Sequence, residues 1–89
     1  MERWERMFEI FELLDGNDFT VRELFDILEV NEKTITLNLV DFLLRHYNKN
    51  GYLTRSKNLF NVYCYSLSRK GKEQLIWMRN GCQLEYYEI

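Results

Sequence analysis

The sequence predicts an α+β fold, mostly helical: a three-helix core holding a helix-turn-helix, a two-stranded β-hairpin, and a C-terminal helix. Three observations carry this. Apolar residues recur at helical spacing over residues 2–15, about 20–28 and about 32–48. Alternation with a period of two takes over at about 52–55 and 62–67. Ser68 then stands before a last helical stretch, about 69–79, that ends just ahead of Gly81. The 89 residues are enough for one core and read as a single domain, with the helix-turn-helix at about 20–48 and the hairpin at about 52–67.

In the first helix, Trp4, Met7, Phe8, Phe11 and Leu14 repeat at spacings of three and four, with Glu2, Glu5, Glu9 and Glu12 outside. Ile10 and Leu13 widen the apolar face, so more than one neighbour is expected to cover it. Asp15 to Asp18 is a turn by composition, and Phe19 is expected to pack back into the core. Thr20 and Glu23 form a capping box, followed by Val21, Leu24, Phe25 and Leu28 at helical spacing. Residues 29–31 break the pattern. Asn31 is the expected cap of the third helix, which would leave a connection of three or four residues.

The third helix, about Glu32 to Asn48, carries two apolar stripes. One holds Ile35, Leu39, Phe42 and His46 with Leu43 beside it; the other holds Leu37, Val40, Leu44 and Tyr47. Such a helix is expected to be largely buried, with only Lys33, Thr34, Thr36 and Asn38 facing outward. Asp41 would repel phosphate and bounds that patch. The stripe left over needs a cover, from the first helix or from a second subunit. Gly51 supplies the left-handed residue after the helix. Strands at 52–55 and 62–67 flank a polar loop with Leu59 and Phe60 near its tip, and Tyr63, Tyr65 and Leu67 share one face. Gly71 should weaken the last helix slightly. The tail, CQLEYYEI, is apolar enough to pack on the body or on a partner.

Charge is divided along the chain. Residues 1–44 hold four basic and eleven acidic side chains, a net of −7; residues 45–80 hold eight basic and one acidic, a net of +7; the last nine add −2. A positive field on one part of a small fold is the footprint of a surface for a polyanion, the bland alternative being attraction between the two halves. Cys64 and Cys82, with a single histidine in the chain, make no zinc site, and inside most cells both would stay reduced. Cys82 could join two subunits where intracellular disulfides persist. No apolar run approaches the roughly 18 residues needed to span a bilayer, and MERWERMF lacks the apolar core of a signal peptide, so a soluble, cytoplasmic protein is expected. No phosphate-binding glycine loop or paired-carboxylate signature is present, so neither catalysis nor a cofactor is expected.

In the order MFEIFELL, FTVRELFDILEVNEKTIT, NGYLTR and VYCYSLSRKGKEQL, the chain resembles the winged helix-turn-helix superfamily, particularly the small MarR-like and PadR-like regulators. The resemblance runs from about Met7 to Trp77. Its last piece matches the family's strand-to-helix junction through Tyr65, Leu67, Ser68 and Gly71. Compact versions are common in archaeal viruses and plasmids. The resemblance implies a sequence-specific double-stranded DNA-binding protein, a transcriptional regulator with its third helix in the major groove and its wing on the adjacent backbone or minor groove. It also implies a homodimer, for which the first and last helices and the tail are the expected surfaces. The chain departs from the pattern in its recognition region, where Lys33 is the one basic residue and Glu32 lies beside it.

By side-chain chemistry, Arg55 and Lys57 are the expected phosphate contacts from the wing, with Arg22 holding a phosphate from the preceding helix. Asn58 or Asn61 would meet backbone or minor-groove acceptors. Thr34, Thr36 and Asn38 would read base edges, with Lys33 beside them. Arg69 and Lys70 complete the basic set, with Lys72. The rival reading is a winged-helix protein-interaction module that makes no DNA contact, since fold does not fix function.

Overall fold

The computed structural model describes residues 2–81. Among them the chain forms α1 (Arg3–Leu14), β1 (Phe19–Thr20), α2 (Val21–Leu28), α3 (Leu37–Lys49), β2 (Leu53–Lys57), β3 (Tyr63–Leu67) and α4 (Arg69–Arg79). The architecture is α+β and mostly helical. The three strands make one antiparallel sheet in the order β1-β3-β2. The tail from Cys82, with the disulfide considered for that cysteine, lies outside the described residues.

α1 buries Met7, Ile10, Phe11 and Leu14, with Phe8 and Leu13 packed against the same core, as the widened apolar face requires. Phe11 sits at the centre, its ring 5.4 Å from Tyr47 edge to face and 5.7 Å from Tyr52. The capping box at α2 is present: the Thr20 hydroxyl accepts from the Glu23 amide at 3.1 Å, and the Thr20 amide donates to the Glu23 carboxylate at 2.9 Å. Phe19 packs against the core and pairs with Tyr65 across β1 and β3. The sequence does not reveal this two-residue strand, because no alternation can be seen in so short a run.

The third helix begins later than its pattern suggests. Thr36, not Asn31, caps it, accepting from the Leu39 amide at 3.1 Å. Thr34, Ile35 and Thr36 are successive β-branched residues, which lose rotamer freedom in a helix. The connection from α2 therefore spans eight residues, 29–36, rather than three or four. It is pinned at both sides of its middle: Ile35 is buried, and Glu32 pairs with Arg6 of α1. The Arg6 side chain is only 12% exposed and also holds Glu9 at 3.1 Å, so Glu32 works as a tether and not as a free acid beside Lys33.

Burial of α3 also differs from expectation. One stripe, Val40, Leu44 and Tyr47, enters the core, whereas Leu37, Leu39 and Phe42 stay exposed, Phe42 at 57%. The helix lies on the body by one face and leaves the rest outward.

Asn50 and Gly51 (φ +85°) end α3 and turn the chain into the hairpin. Strand pairing sets Leu53 opposite Leu67, Arg55 opposite Tyr65 and Lys57 opposite Tyr63. Opposed residues share a face. Hence Leu53, Tyr65 and Leu67 are buried at the base of one face, while Arg55, Lys57 and Tyr63 project further out on the same side. Ser68 caps α4, accepting from the Gly71 amide at 3.1 Å. Gly71 has a stronger role than its helix propensity suggests. A Cβ there would overlap the Tyr52 carbonyl oxygen and stand 3.1 Å from Leu67 Cδ2, so only glycine lets α4 pack on the hairpin base. The far end of α4 is tied to α1 by Arg79, which donates to Glu12 at 2.6 and 3.1 Å and to Asp15 at 2.9 Å.

Candidate nucleic-acid interface

The hairpin holds its cations in place. The Arg55 guanidinium lies 4.1 Å from the Tyr63 ring centroid and the Lys57 ammonium 5.2 Å from it, so one aromatic ring orients both charges. No acidic residue occurs from Leu53 to Leu67. Beyond Lys57 the tip is built by Asn58, whose side-chain carbonyl accepts the Phe60 amide at 2.9 Å and the Val62 amide at 3.1 Å. Asn61 takes a left-handed conformation, φ +63°, which asparagine tolerates better than most residues.

On α3, with about 100° of rotation per residue, the direction opposite to Val40, Leu44 and Tyr47 falls on Asn38, Phe42, Arg45 and Lys49. All four are exposed. On one flank Leu37, Asp41 and Arg45 turn toward the sheet and line a crevice of about 380 Å³ with Val21, Arg22, Arg55, Val62 and Tyr63. Three arginines, from α2, α3 and β2, thus rim one apolar-floored groove. Asp41 is held by Arg45 at 3.1 Å, one turn away, which offsets part of its repulsion toward an anion. On the other flank Leu39, Leu43 and His46 face the start of α1. His46 stacks on Phe42, with ring planes 9° apart.

The expected site residues divide into two groups. Arg22, Asn38, Arg55 and Lys57 lie around the groove and the outer face of α3, and Arg22 is 70% exposed despite its pairing with Asp26 at 3.4 Å. Lys33 and Thr34 stand exposed in the turn before the helix, and Thr36 is its cap. Asn58 has a structural role as well, since its carbonyl oxygen builds the tip. Lys70 is also structural: its ammonium donates to the Asn50 carbonyl at 2.8 Å and sits 4.6 Å from the Tyr52 ring centroid. Arg69, beside it, is exposed and within 4.0 Å of Glu73. Both lie beside the C-terminal end of α3, about 20 Å along the helix from Thr36.

Arg45, Lys49 and Phe42 were missed as candidates. The signal was available: once Val40, Leu44 and Tyr47 are taken as the buried stripe, these three residues fall opposite it. The division of charge also resolves in space. Of the eight basic residues from 45 to 80, Arg45, Arg69 and Arg79 pair with carboxylates. Lys49, Arg55, Lys57, Lys70 and Lys72 form no ion pair among the described residues, so attraction between the two halves accounts for little of the positive field.

Burial pushes the Cys64 thiol above its ordinary pKa, with Asp18 and Glu23 adding to the effect, which makes it a poor nucleophile. Among the described residues no cluster of His, Cys, Asp and Glu has the arrangement of a metal site, and no helix is long and apolar enough to cross a membrane. No family model, curated protein or solved structure matches the chain.

Proposed function

We propose that the chain is a winged helix-turn-helix protein that binds double-stranded DNA sequence-specifically, as a homodimer, and regulates transcription. The observation that carries this reading is the convergence of Arg22, Arg45, Arg55 and Lys57 around α3 and one face of the hairpin, with no carboxylate on the hairpin itself. In this reading α3 enters the major groove with Asn38, Phe42, Arg45 and Lys49 foremost. Asn38 is suited to a bidentate pair with adenine, and Phe42 to a thymine methyl. Arg55, Lys57 and Arg22 hold phosphates on either side and set the register. Ile76 and Trp77, exposed on α4, mark a surface that a second subunit would complete.

Selection from a random duplex pool, followed by footprinting, tests this. The expected outcome is an inverted repeat with half-sites about one helical turn apart. Failure to enrich any sequence would remove the specific-binding reading. The second reading, a protein-interaction module, is favoured by one observation: the exposed Leu39 and Phe42 on α3. It predicts an association indifferent to salt.

A further inference from the structure

The tip of the hairpin carries two large apolar side chains with nothing over them. Leu59 is 101% exposed and Phe60 85%. An exposed loop with two such residues would be expected to collapse onto the body, yet this one is held out. Asn58 binds two amides of its own turn, its backbone amide donates to the Val62 carbonyl at 2.9 Å, and Asn61 closes the turn. The stem beneath carries Arg55 and Lys57, both braced on Tyr63.

We infer that Leu59 and Phe60 form a wedge that enters the minor groove of bound DNA and opens a base step, so that the protein bends its target. The inference rests on the DNA-binding reading above. Its warrant is geometric and electrostatic. With Lys57 at a phosphate on the groove rim, Leu59 stands two residues further along the chain, at most about 7 Å, with its side chain beyond that, and the minor groove is about 7.5 Å deep. The tip therefore reaches the bases when the stem reaches the backbone. Apolar wedges of this kind partly unstack a step and kink the duplex by about 20–90°. Pyrimidine–purine steps open most easily, so the tip selects them without a hydrogen bond to any base. A lipid surface would suit a basic stem and an apolar tip, but it gives no role to Arg22 and Arg45, which share the Arg55 groove. A duplex engages all of them at once.

The test uses the full chain and a short duplex with donor and acceptor dyes at its ends, a single central TA step, and 2-aminopurine in that step. Wild type should raise energy transfer and 2-aminopurine fluorescence on binding. Leu59→Ser with Phe60→Ser should abolish both signals and raise Kd on the order of tenfold, in line with the loss of one stacked contact, while the salt slope stays unchanged. Phe60→Leu, which keeps an apolar wedge, should restore most of the bend. Both positions are exposed, so an unchanged far-ultraviolet spectrum is expected for each variant. Tight binding without bending, or bending that survives the double substitution, would overturn the inference and leave the DNA-binding reading standing. Failure of wild type to bind any duplex at low salt would overturn both. Binding to phosphatidylserine vesicles that the double substitution abolishes, with no bend in the duplex, would assign the tip to lipid and overturn the wedge.

Discussion

Replacing Gly71 with alanine separates helix propensity from packing, because the two predict opposite signs. In an exposed helix the change should stabilise by about 1 kcal/mol or less. Here the new Cβ meets the Tyr52 carbonyl, which is backbone and already accepts the Ser68 amide at 3.0 Å. To regain van der Waals distance, α4 must recede by about 1 Å or more. That movement strains three bonds joining α4 to the hairpin base: Ser68 amide to Tyr52, Ser68 hydroxyl to Gly51 and Lys70 to Asn50. At about 1 kcal/mol net for each bond lost, with overpacking at about 1–3 kcal/mol and less the helix gain of about 1 kcal/mol, the net destabilisation should be about 3–5 kcal/mol. In a domain of this size that lowers Tm by roughly 12–40 °C. Thermal and urea unfolding followed by circular dichroism measure it. A Tm equal to or above wild type would refute the close approach of α4 to Tyr52. It would also place the hairpin differently relative to α3, which is the geometry on which the interface depends.

Other perturbations probe the interface and its frame. Arg55→Ala with Lys57→Ala should weaken binding to all duplexes alike and reduce the log–log salt slope by about 2, read by anisotropy; unchanged affinity would remove the hairpin stem from the interface. Asn38→Ala should lower discrimination between the selected site and a scrambled duplex by about 1–3 kcal/mol, and equal loss on both would make Asn38 a backbone contact. Arg79→Ala should loosen α4 from α1. The Arg79 guanidinium, bonded to Glu12, holds that carboxyl below its ordinary pKa in the folded state. A lowered folded value contributes stability above the unfolded pKa, and that contribution is lost as pH falls through the folded one. Urea midpoints across acid pH should therefore fall less steeply in Arg79→Ala than in wild type; parallel profiles would show that the pair is not formed in solution.

Local chemistry made much of this fold legible in the sequence. The Thr20–Glu23 box, Ser68 as a cap and Gly51 after α3 are each fixed by residues within a few positions, and the structure has them where the pattern puts them. The hairpin is also there, but β2 runs two residues further than its alternation, through Ser56 and Lys57. What the sequence hid depends on distant partners. Glu32 joins the connection before α3 because Arg6 lies across from it, a contact 26 residues away in sequence. β1 exists because β3 is there to pair with it. Gly71 looked like a weak helix residue because its reason, the Tyr52 carbonyl, belongs to another element. In the candidate site, Arg22, Asn38, Arg55 and Lys57 could be named from side-chain chemistry and position. Arg45 and Lys49 could not be separated from solvated charges until burial of a single stripe of α3 fixed its outward face. Asn58 and Lys70 also have local structural bonds, to the tip amides and to the Asn50 carbonyl, that residue type alone does not reveal.

Fluorescence anisotropy of a labelled duplex, titrated with protein at several salt concentrations, tests the central claim most directly. With about three phosphate contacts per protomer, from Arg22, Arg55 and Lys57, the slope of log K against log salt should be near −2.7 for one protomer and near −5.4 for a dimer. A slope in that range, flattened by substitutions on the hairpin stem, is the predicted result. Binding with no salt dependence, or no binding at low salt, would contradict the account and direct attention to the exposed Leu39 and Phe42 face as a surface for another protein.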